Sequence, residues 1–196
     1  MKKGWIVLFV VLAVIGVMVS SVGGSYNRLV TLDELVKQAW AQVENVYQRR
    51  LDLIPNLVET VKGYAAHENS TFVDVTRARS QAAGSMSSDV FNDPQKFAQF
   101  QESQQALSSA LSRLMVVVEK YPDLKANQNF LSLQAQLEGT ENRITVERGR
   151  FNEAAMAFNT ACRSFPVNLI ANLFGFRVKS YFKADDGASV APKVKF

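Results

Sequence analysis

The chain has 196 residues, 47% of them hydrophobic, which suffices for one core of ordinary size and predicts a single folded domain beside any membrane segment. The net charge of +4 is unevenly spread: residues 25–162 carry 14 basic and 16 acidic side chains, whereas residues 163–196 carry 6 and 2. Because the body of the chain has no long basic stripe, no nucleic-acid partner is expected.

Residues 5–22, WIVLFVVLAVIGVMVSSV, contain no charged side chain and follow two lysines at positions 2 and 3. At about 1.5 Å per residue, the stretch covers roughly 27 Å, close to the thickness of the hydrocarbon core of a bilayer. We therefore predict a transmembrane anchor within residues 1–24. A cleaved signal peptide is the alternative, but the apolar run is longer than a usual signal core. The lysines before the stretch predict a cytoplasmic N-terminus, with the rest of the chain outside the cytoplasm.

A long amphipathic helix is predicted next. Thr31 and Glu34 fit a capping box, which predicts a helix start at Thr31. Because the helical spacing continues past Pro55, we expect a bend there and a break near Gly63. The packing face comprises Val36, Trp40, Val43, Tyr47, Leu51, Ile54, Leu57 or Val58, Val61 and Tyr64.

A shorter helix is predicted over residues 71–83, capped by Asn69 or Ser70. Its inner side is expected to hold Phe72, Val75 and Arg79, and residues 84–88 are expected to form a loop.

Two more long helices are predicted. Asp93 directly before Pro94 is a strong start signal for the first, and Pro122 is expected to end it. Its apolar seam comprises Phe97, Phe100, Gln104, Leu107, Leu111, Leu114, Val118 and Tyr121. The second helix covers residues 127–162, with Phe130, Leu133, Leu137, Ile144, Phe151, Ala155, Phe158 and Cys162 on one face. Four helices with short connections predict an all-α antiparallel bundle over residues 25–164.

Charged residues in the middle of the two longest helices form a candidate polar cluster of Arg49, Arg50, Asp52, Glu141, Arg143 and Arg148. One interpretation is a ligand site or a polar relay. The alternative, which we favour, is a set of interhelical ion pairs that fix helix register and add little stability. We expect Asp52 to pair with Arg143 or Arg148.

No catalytic, cofactor or metal site is predicted. A carboxylate-bridged di-iron bundle needs Glu-x-x-His on two helices, and His67 is the only histidine. The sequence holds no Gly-rich phosphate loop and no Ser/His/Asp set. Cys162, the only cysteine, is expected in a buried seam rather than as a nucleophile. We therefore do not expect an enzyme.

The last segment, residues 165–196, is basic and begins with FPVNLIANLFGFRVKSYF. If the helices alternate in direction, this tail returns to the membrane, where aromatic side chains can sit at headgroup level and basic ones can meet anionic lipid. The alternative is that the tail folds over its own bundle or caps a neighbouring subunit. The candidate contact residues are Phe165, Phe174, Phe176, Arg177, Lys179, Tyr181 and Phe182.

Several motifs in order give the chain a family resemblance. They are RRLDLIPNLVETVKGYAAHE at residues 49–68, LEGTENRI at 137–144, RGRFNEAAMAFN at 148–159 and FGF at 174–176. With these motifs the chain resembles the LemA family of bacterial membrane proteins over nearly its whole length. The resemblance implies one N-terminal transmembrane helix, a domain of antiparallel helices and a relative from magnetosome membranes. It implies no established catalysis.

The leading functional hypothesis is a non-enzymatic scaffold, anchored in the bacterial inner membrane, with its helical domain in the periplasm. Its expected partners are membrane lipid, further copies of itself and other envelope membrane proteins. The second hypothesis is a module that senses a ligand or peptide and supports a membrane protease or signalling protein.

Overall fold

The computed structural model describes residues 2–183, except for the side chains at positions 2, 3, 14 and 17–19. Every regular element within that range is a helix, and the predicted all-α class is confirmed. The elements are α1 (Lys2–Lys62), α2 (Asn69–Gly84), a 3-10 helix (Val90–Asn92), α3 (Pro94–Val118), α4 (Pro122–Lys125), α5 (Gln128–Arg163) and α6 (Val167–Leu173).

Helix α1 is continuous through Thr31, so the predicted start at that residue is wrong. The Thr31 hydroxyl donates to the carbonyl of Asn27 at 3.0 Å, a bond that a threonine inside a helix can make equally well. The helix continues through Pro55 and ends before Gly63, as expected. The predicted packing face is buried except at Tyr64, which is exposed and accepts a hydrogen bond from Asn127.

The four long helices form an antiparallel bundle. Helix α1 runs against α5, since Trp40 lies beside Phe151, with ring centroids 5.4 Å apart, and Tyr64 lies beside Asn127. Helix α2 runs against α3, and the hydroxyl oxygens of Ser85 and Ser103 lie 2.6 Å apart. We call the end of the bundle near Leu29 the proximal end and the end near Tyr64 the distal end.

Local signals explain several boundaries. The Asp93 carboxylate accepts from the backbone N–H groups of Gln95 and Lys96, so the predicted cap of α3 is confirmed. Helix α3 ends at Val118, however, and Pro122 begins the short helix α4. Neither Asn69 nor Ser70 caps α2: both lie inside it.

A glycine turn ends α6 and redirects the chain. Gly175 has a φ of 76°, a left-handed conformation that glycine adopts without strain. The N–H of Phe176 donates to the carbonyl of Ala171 and that of Gly175 to Asn172, which is the Schellman arrangement. Residues 176–183 then run in extended form back along the bundle.

Among the residues that the structure describes in full, no helix offers a stretch long and apolar enough to cross a membrane. The transmembrane anchor predicted over residues 5–22 is therefore not found. Four of its side chains, at positions 14 and 17–19, lie outside the described part of the chain.

Candidate functional site

A polar layer crosses the middle of the bundle and separates its two hydrophobic clusters. The proximal cluster extends to Tyr47 and Phe100, and the distal cluster begins at Leu51 and Leu107. Between them lies Arg50, whose side chain is only 5% exposed. Its guanidinium donates to the Ser108 hydroxyl at 2.6 Å and lies 3.6 Å from the Glu141 carboxylate. This arrangement links α1, α3 and α5 at one level.

The other members of the candidate polar cluster do not join this layer. Arg49, Asp52 and Arg143 are exposed, and Asp52 accepts a hydrogen bond from Gln48 one turn away at 2.7 Å. Arg148 instead donates to the carbonyl of Lys183 and places its guanidinium 4.8 Å from the centre of the Phe182 ring. The expected pairing of Asp52 with Arg143 or Arg148 is therefore wrong.

Two asparagines on α5 bind the extended tail through its backbone. The Asn159 side chain accepts from the N–H of Lys179 at 2.7 Å and donates to the same residue's carbonyl at 2.9 Å. Asn152 makes the same pair of bonds with Phe182, at 2.9 and 3.0 Å. Each amide thus satisfies both backbone groups of one tail residue.

The spacing of the two asparagines matches the spacing of the residues that they bind. Seven residues of α-helix rise about 10.5 Å, and three residues of extended chain rise about 10 Å. Asn152 and Asn159 are seven apart on α5, whereas Lys179 and Phe182 are three apart in the tail. The two bonded pairs therefore hold the tail in one register, antiparallel to α5.

The side chain of Phe182 completes an aromatic cluster at the proximal end. Its ring lies 4.9 Å from that of Phe97 and 5.6 Å from that of Phe151, measured between centroids. Trp40 stacks on it at 6.1 Å. Phe182 is thus part of the core, which places it against its own bundle, one of the two expectations for the tail.

Among the side chains that the structure describes, Lys179 is the only buried lysine. Its ammonium lies 2.7 Å from the Asp33 carboxylate on α1 and donates to the side-chain oxygen of Asn92 at 2.8 Å. The rings of Phe91 and Phe158 flank it at 5.4 and 4.8 Å. Burial alone raises the pKa of Asp33, but hydrogen bonds and charges from Lys179 and Lys37 outweigh it and hold the pKa below its ordinary value.

Most of the other candidate tail residues lie on the surface, and only Phe176 packs against the core. Phe165, Phe174, Arg177 and Tyr181 are exposed, and Phe176 is half-buried against Phe158. We define the α6 patch as the exposed apolar side chains of this region: Phe165, Leu169, Leu173 and Phe174. The tail therefore divides into one part that packs on the bundle and one that does not.

A cavity of about 620 Å³ lies beside α6. Its polar lining includes Asn92, Arg163, Asn168, Asn172 and Arg177. The side-chain oxygen of Asn168 is buried and accepts no hydrogen bond. Cys162 also lines the cavity, and burial raises the pKa of its thiol, which disfavours the reactive thiolate. Among residues 2–183, no group of three or more His, Cys, Asp or Glu side chains is placed to hold a metal ion.

The sequence patterns did not identify the residues that bind the tail. Asn152 and Asn159 occur seven apart, each directly after a core phenylalanine, Phe151 or Phe158, which is a usable signal for polar groups beside the core. Asp33 and Asn92 gave no such signal, because their partner Lys179 is distant in the chain and lies in an extended segment.

The fold and these contacts define a class: an all-α bundle protein whose first helix extends beyond the bundle and whose extended C-terminal segment completes the core. The LemA family model matches residues 39–196, and the chain belongs to the LemA family. The resemblance inferred from the sequence motifs is thus confirmed.

Individual relatives share about a quarter of their aligned residues with this chain. The chain is 26% identical to Magnetosome protein MamQ of Magnetospirillum gryphiswaldense, over 86% of this chain and 70% of the relative. The values are the same for Magnetosome protein MamQ 2 of Paramagnetospirillum magneticum. Protein LemA of Metamycoplasma hominis is 24% identical over 94% of this chain and 80% of the relative.

Proposed function

We propose that this protein is a non-enzymatic helical scaffold, held in the bacterial inner membrane by the first part of α1, with its bundle on the periplasmic side. Further copies of the chain and other envelope membrane proteins are its partners. Membership of the LemA family and the similarity to magnetosome proteins support a role at a membrane.

One observation carries the proposal: α1 continues beyond the bundle as an arm whose large apolar side chains are exposed. Trp5 is 72% exposed and Phe9 is 74% exposed, whereas Leu29, where α1 enters the core, is fully buried. Contiguous apolar surface of this extent is rare on a soluble monomer and marks a contact with lipid or protein. Because the helix is unbroken, the arm sets the direction of the bundle relative to whatever binds it.

Membrane extraction of paired variants tests the anchor. A charged side chain in the middle of a membrane-inserted helix costs about 2.5–3.5 kcal/mol. The double variant Phe9→Arg, Leu12→Arg should therefore leave the membrane fraction, whereas Val116→Arg, at an exposed apolar position of the distal end, should stay. Release of the unaltered chain by alkaline carbonate would overturn the proposed anchor.

Two further measurements test the side of the membrane and the scaffold role. A periplasm-active phosphatase fused after Phe196 should be active, and activity of a cytoplasmic reporter at that position instead would contradict the topology.

In mild detergent the protein should form a discrete complex much larger than one chain. A monomer under all protein concentrations would contradict self-association.

The cavity beside α6 favours a second candidate function, a ligand-sensing module that supports a membrane protease or signalling protein. The unsatisfied oxygen of Asn168 can accept a hydrogen bond from a ligand, and Arg163 and Arg177 can bind an anionic group. A monomer that changes size only when a partner is added would favour this candidate over the scaffold.

A further inference from the structure

We propose that the α6 patch is a second membrane-contact surface, which inserts into the headgroup layer of an anionic bilayer beside α1 and fixes the orientation of the bundle. The inference rests on the proposed role of α1 as the anchor. Its occupant is lipid, and the argument has three parts: the composition of α6, its level along α1 and its charged surroundings.

Helix α6 carries large apolar side chains toward the bundle and toward the outside, and its two asparagines, Asn168 and Asn172, line the cavity beside it. Ile170 and Ala171 are buried against the bundle, yet Leu169 and Leu173, one turn apart, are exposed on the other side. Leu173 is 78% exposed, and Phe165, two residues before the start of α6, is 82% exposed. A contiguous group of large exposed apolar side chains marks a contact with lipid or protein, so this outer surface is expected to have an apolar covering.

The level of the patch along α1 indicates what that covering is. The ring of Phe174 packs on Tyr26 of α1, with centroids 4.8 Å apart, and Phe176 packs on the same tyrosine at 5.8 Å. Tyr26 is four residues, or about 6 Å of helix, beyond Val22, the last residue of the apolar stretch. The headgroup layer on each side of a bilayer is about 5–8 Å thick. With α1 inserted, Tyr26 and Phe174, the member of the α6 patch that packs on it, lie within that layer, where amphipathic aromatic side chains concentrate.

The charges around the patch suit an anionic surface. Residues 163–183 carry four basic side chains and no acidic one. Lys179 is neutralised by Asp33, but Arg163 and Arg177 are exposed and line the cavity beside α6, and Arg28 is exposed two residues after Tyr26. Arginines at this height can reach lipid phosphate while the patch lies among the upper acyl carbons.

Depth measurements on the full chain in vesicles test the inference. Single cysteines would replace Leu173 in the patch, Val116 at the distal end and Leu12 in the arm, each in a Cys162→Ala background. Each would carry an environment-sensitive nitrobenzoxadiazole label, in vesicles of phosphatidylcholine and phosphatidylglycerol containing nitroxide-labelled lipid. Val116 is the matched control, because it is an exposed apolar residue far from α6.

We expect shallow nitroxides to quench the label at position 173 several-fold more than the label at position 116. Quenching at 12 without quenching at 173 would overturn the inference and leave the anchor in place. Quenching at neither position would overturn both. Equal quenching at positions 173 and 116 would also overturn the inference. So would a label at position 173 that is shielded from water but not quenched by lipid nitroxides, because that result would indicate a protein contact, such as a second copy of the chain.

A charge variant tests the role of the arginines. Arg163→Gln combined with Arg177→Gln should lower quenching at position 173 to the level seen in vesicles of phosphatidylcholine alone. Unchanged quenching in phosphatidylglycerol-containing vesicles would overturn the preference for an anionic surface.

Discussion

Arg79 on α2 supplies the hydrogen bond that Pro55 removes from α1. In an uninterrupted helix the N–H of residue 55 would donate to the carbonyl of Leu51, and proline has no N–H. The Nε–H of Arg79 donates to that carbonyl at 2.8 Å. A part-buried acceptor of α1 is thus satisfied from the neighbouring helix, which ties α2 to α1 at the site of the proline.

The first prediction follows from this pairing. Arg79→Met should lower the free energy of unfolding by about 1–3 kcal/mol, because it leaves a part-buried carbonyl without its charged donor. In a Pro55→Ala background the helix regains its own N–H donor, and the same substitution should cost clearly less. Denaturant unfolding of the four proteins in the resulting double-mutant cycle measures the coupling.

Arg77→Met is the matched control on α2, because Arg77 is exposed and contacts only Asp74, at 3.7 Å. It should change the free energy of unfolding by less than about 0.5 kcal/mol. Equal costs of Arg79→Met in the presence and absence of Pro55 would show that the two residues act independently.

A second prediction compares two phenylalanines of the C-terminal region. Phe182→Ala should cost about 3–5 kcal/mol of unfolding free energy, since its ring is buried among Trp40, Phe97 and Phe151. Phe165→Ala should cost less than about 0.5 kcal/mol in detergent, because its ring is exposed. Chemical denaturation of both variants provides the measurement, and similar losses would contradict the division of the tail into packed and unpacked parts.

Helical periodicity predicted most of the fold because the core lies between helices. The seam from Phe97 to Val118 shows the 3.6-residue period of a helix with one buried face, and the cap at Asp93 depends on neighbouring residues, so a local pattern records both. The predicted start at Thr31 failed because a threonine hydroxyl bonds a preceding carbonyl inside a helix as readily as it caps one.

The candidate site was harder to predict. Arg50 lies seven residues after Val43 and therefore on the core-facing side of α1, whereas Asp52 lies on another side of the helix. Helical phase alone thus distinguishes the buried charged residue from the exposed one. No periodicity marks the extended segment that carries Lys179 and Phe182. Its position depends on side-chain amides of α5, and such long-range partners leave no local pattern.

The third prediction concerns Cys162. Burial, together with the smaller effect of the Asp33 charge, raises the pKa of the thiol, and Lys179 offsets part of this shift. At neutral pH Cys162 should react with an aromatic disulfide reagent at least about tenfold more slowly than an exposed cysteine. The comparison is Met156→Cys in a Cys162→Ser background, since Met156 is exposed on the same helix. Comparable rates would mean that the cavity beside α6 opens freely to the reagent.

The final prediction uses the pair of Asp33 and Lys179, which joins α1 to the tail. Asp33→Asn should cost about 3 kcal/mol at neutral pH, the lower end for removing one partner of a buried pair, because Asn92 still accepts a hydrogen bond from the ammonium. The pKa of Asp33 is lower in the folded protein than its ordinary value, so the unfolded chain binds the proton more readily. The contribution of the carboxylate is therefore complete above about pH 5 and is lost as the pH falls through 4 and below.

The difference in unfolding free energy between the unaltered protein and Asp33→Asn should accordingly be constant from neutral pH to about pH 5 and should narrow below it. Glu34→Gln is the matched control, because Glu34 also contacts Lys37 but is largely exposed and does not reach the tail. That variant should differ from the unaltered protein by less than about 0.5 kcal/mol. Denaturant unfolding at a series of pH values makes the comparison. If the difference in unfolding free energy between the unaltered protein and Asp33→Asn stays the same down to about pH 3, the Asp33 carboxylate is not stabilised by Lys179. Asn92 and the flanking rings alone would then hold the ammonium in place.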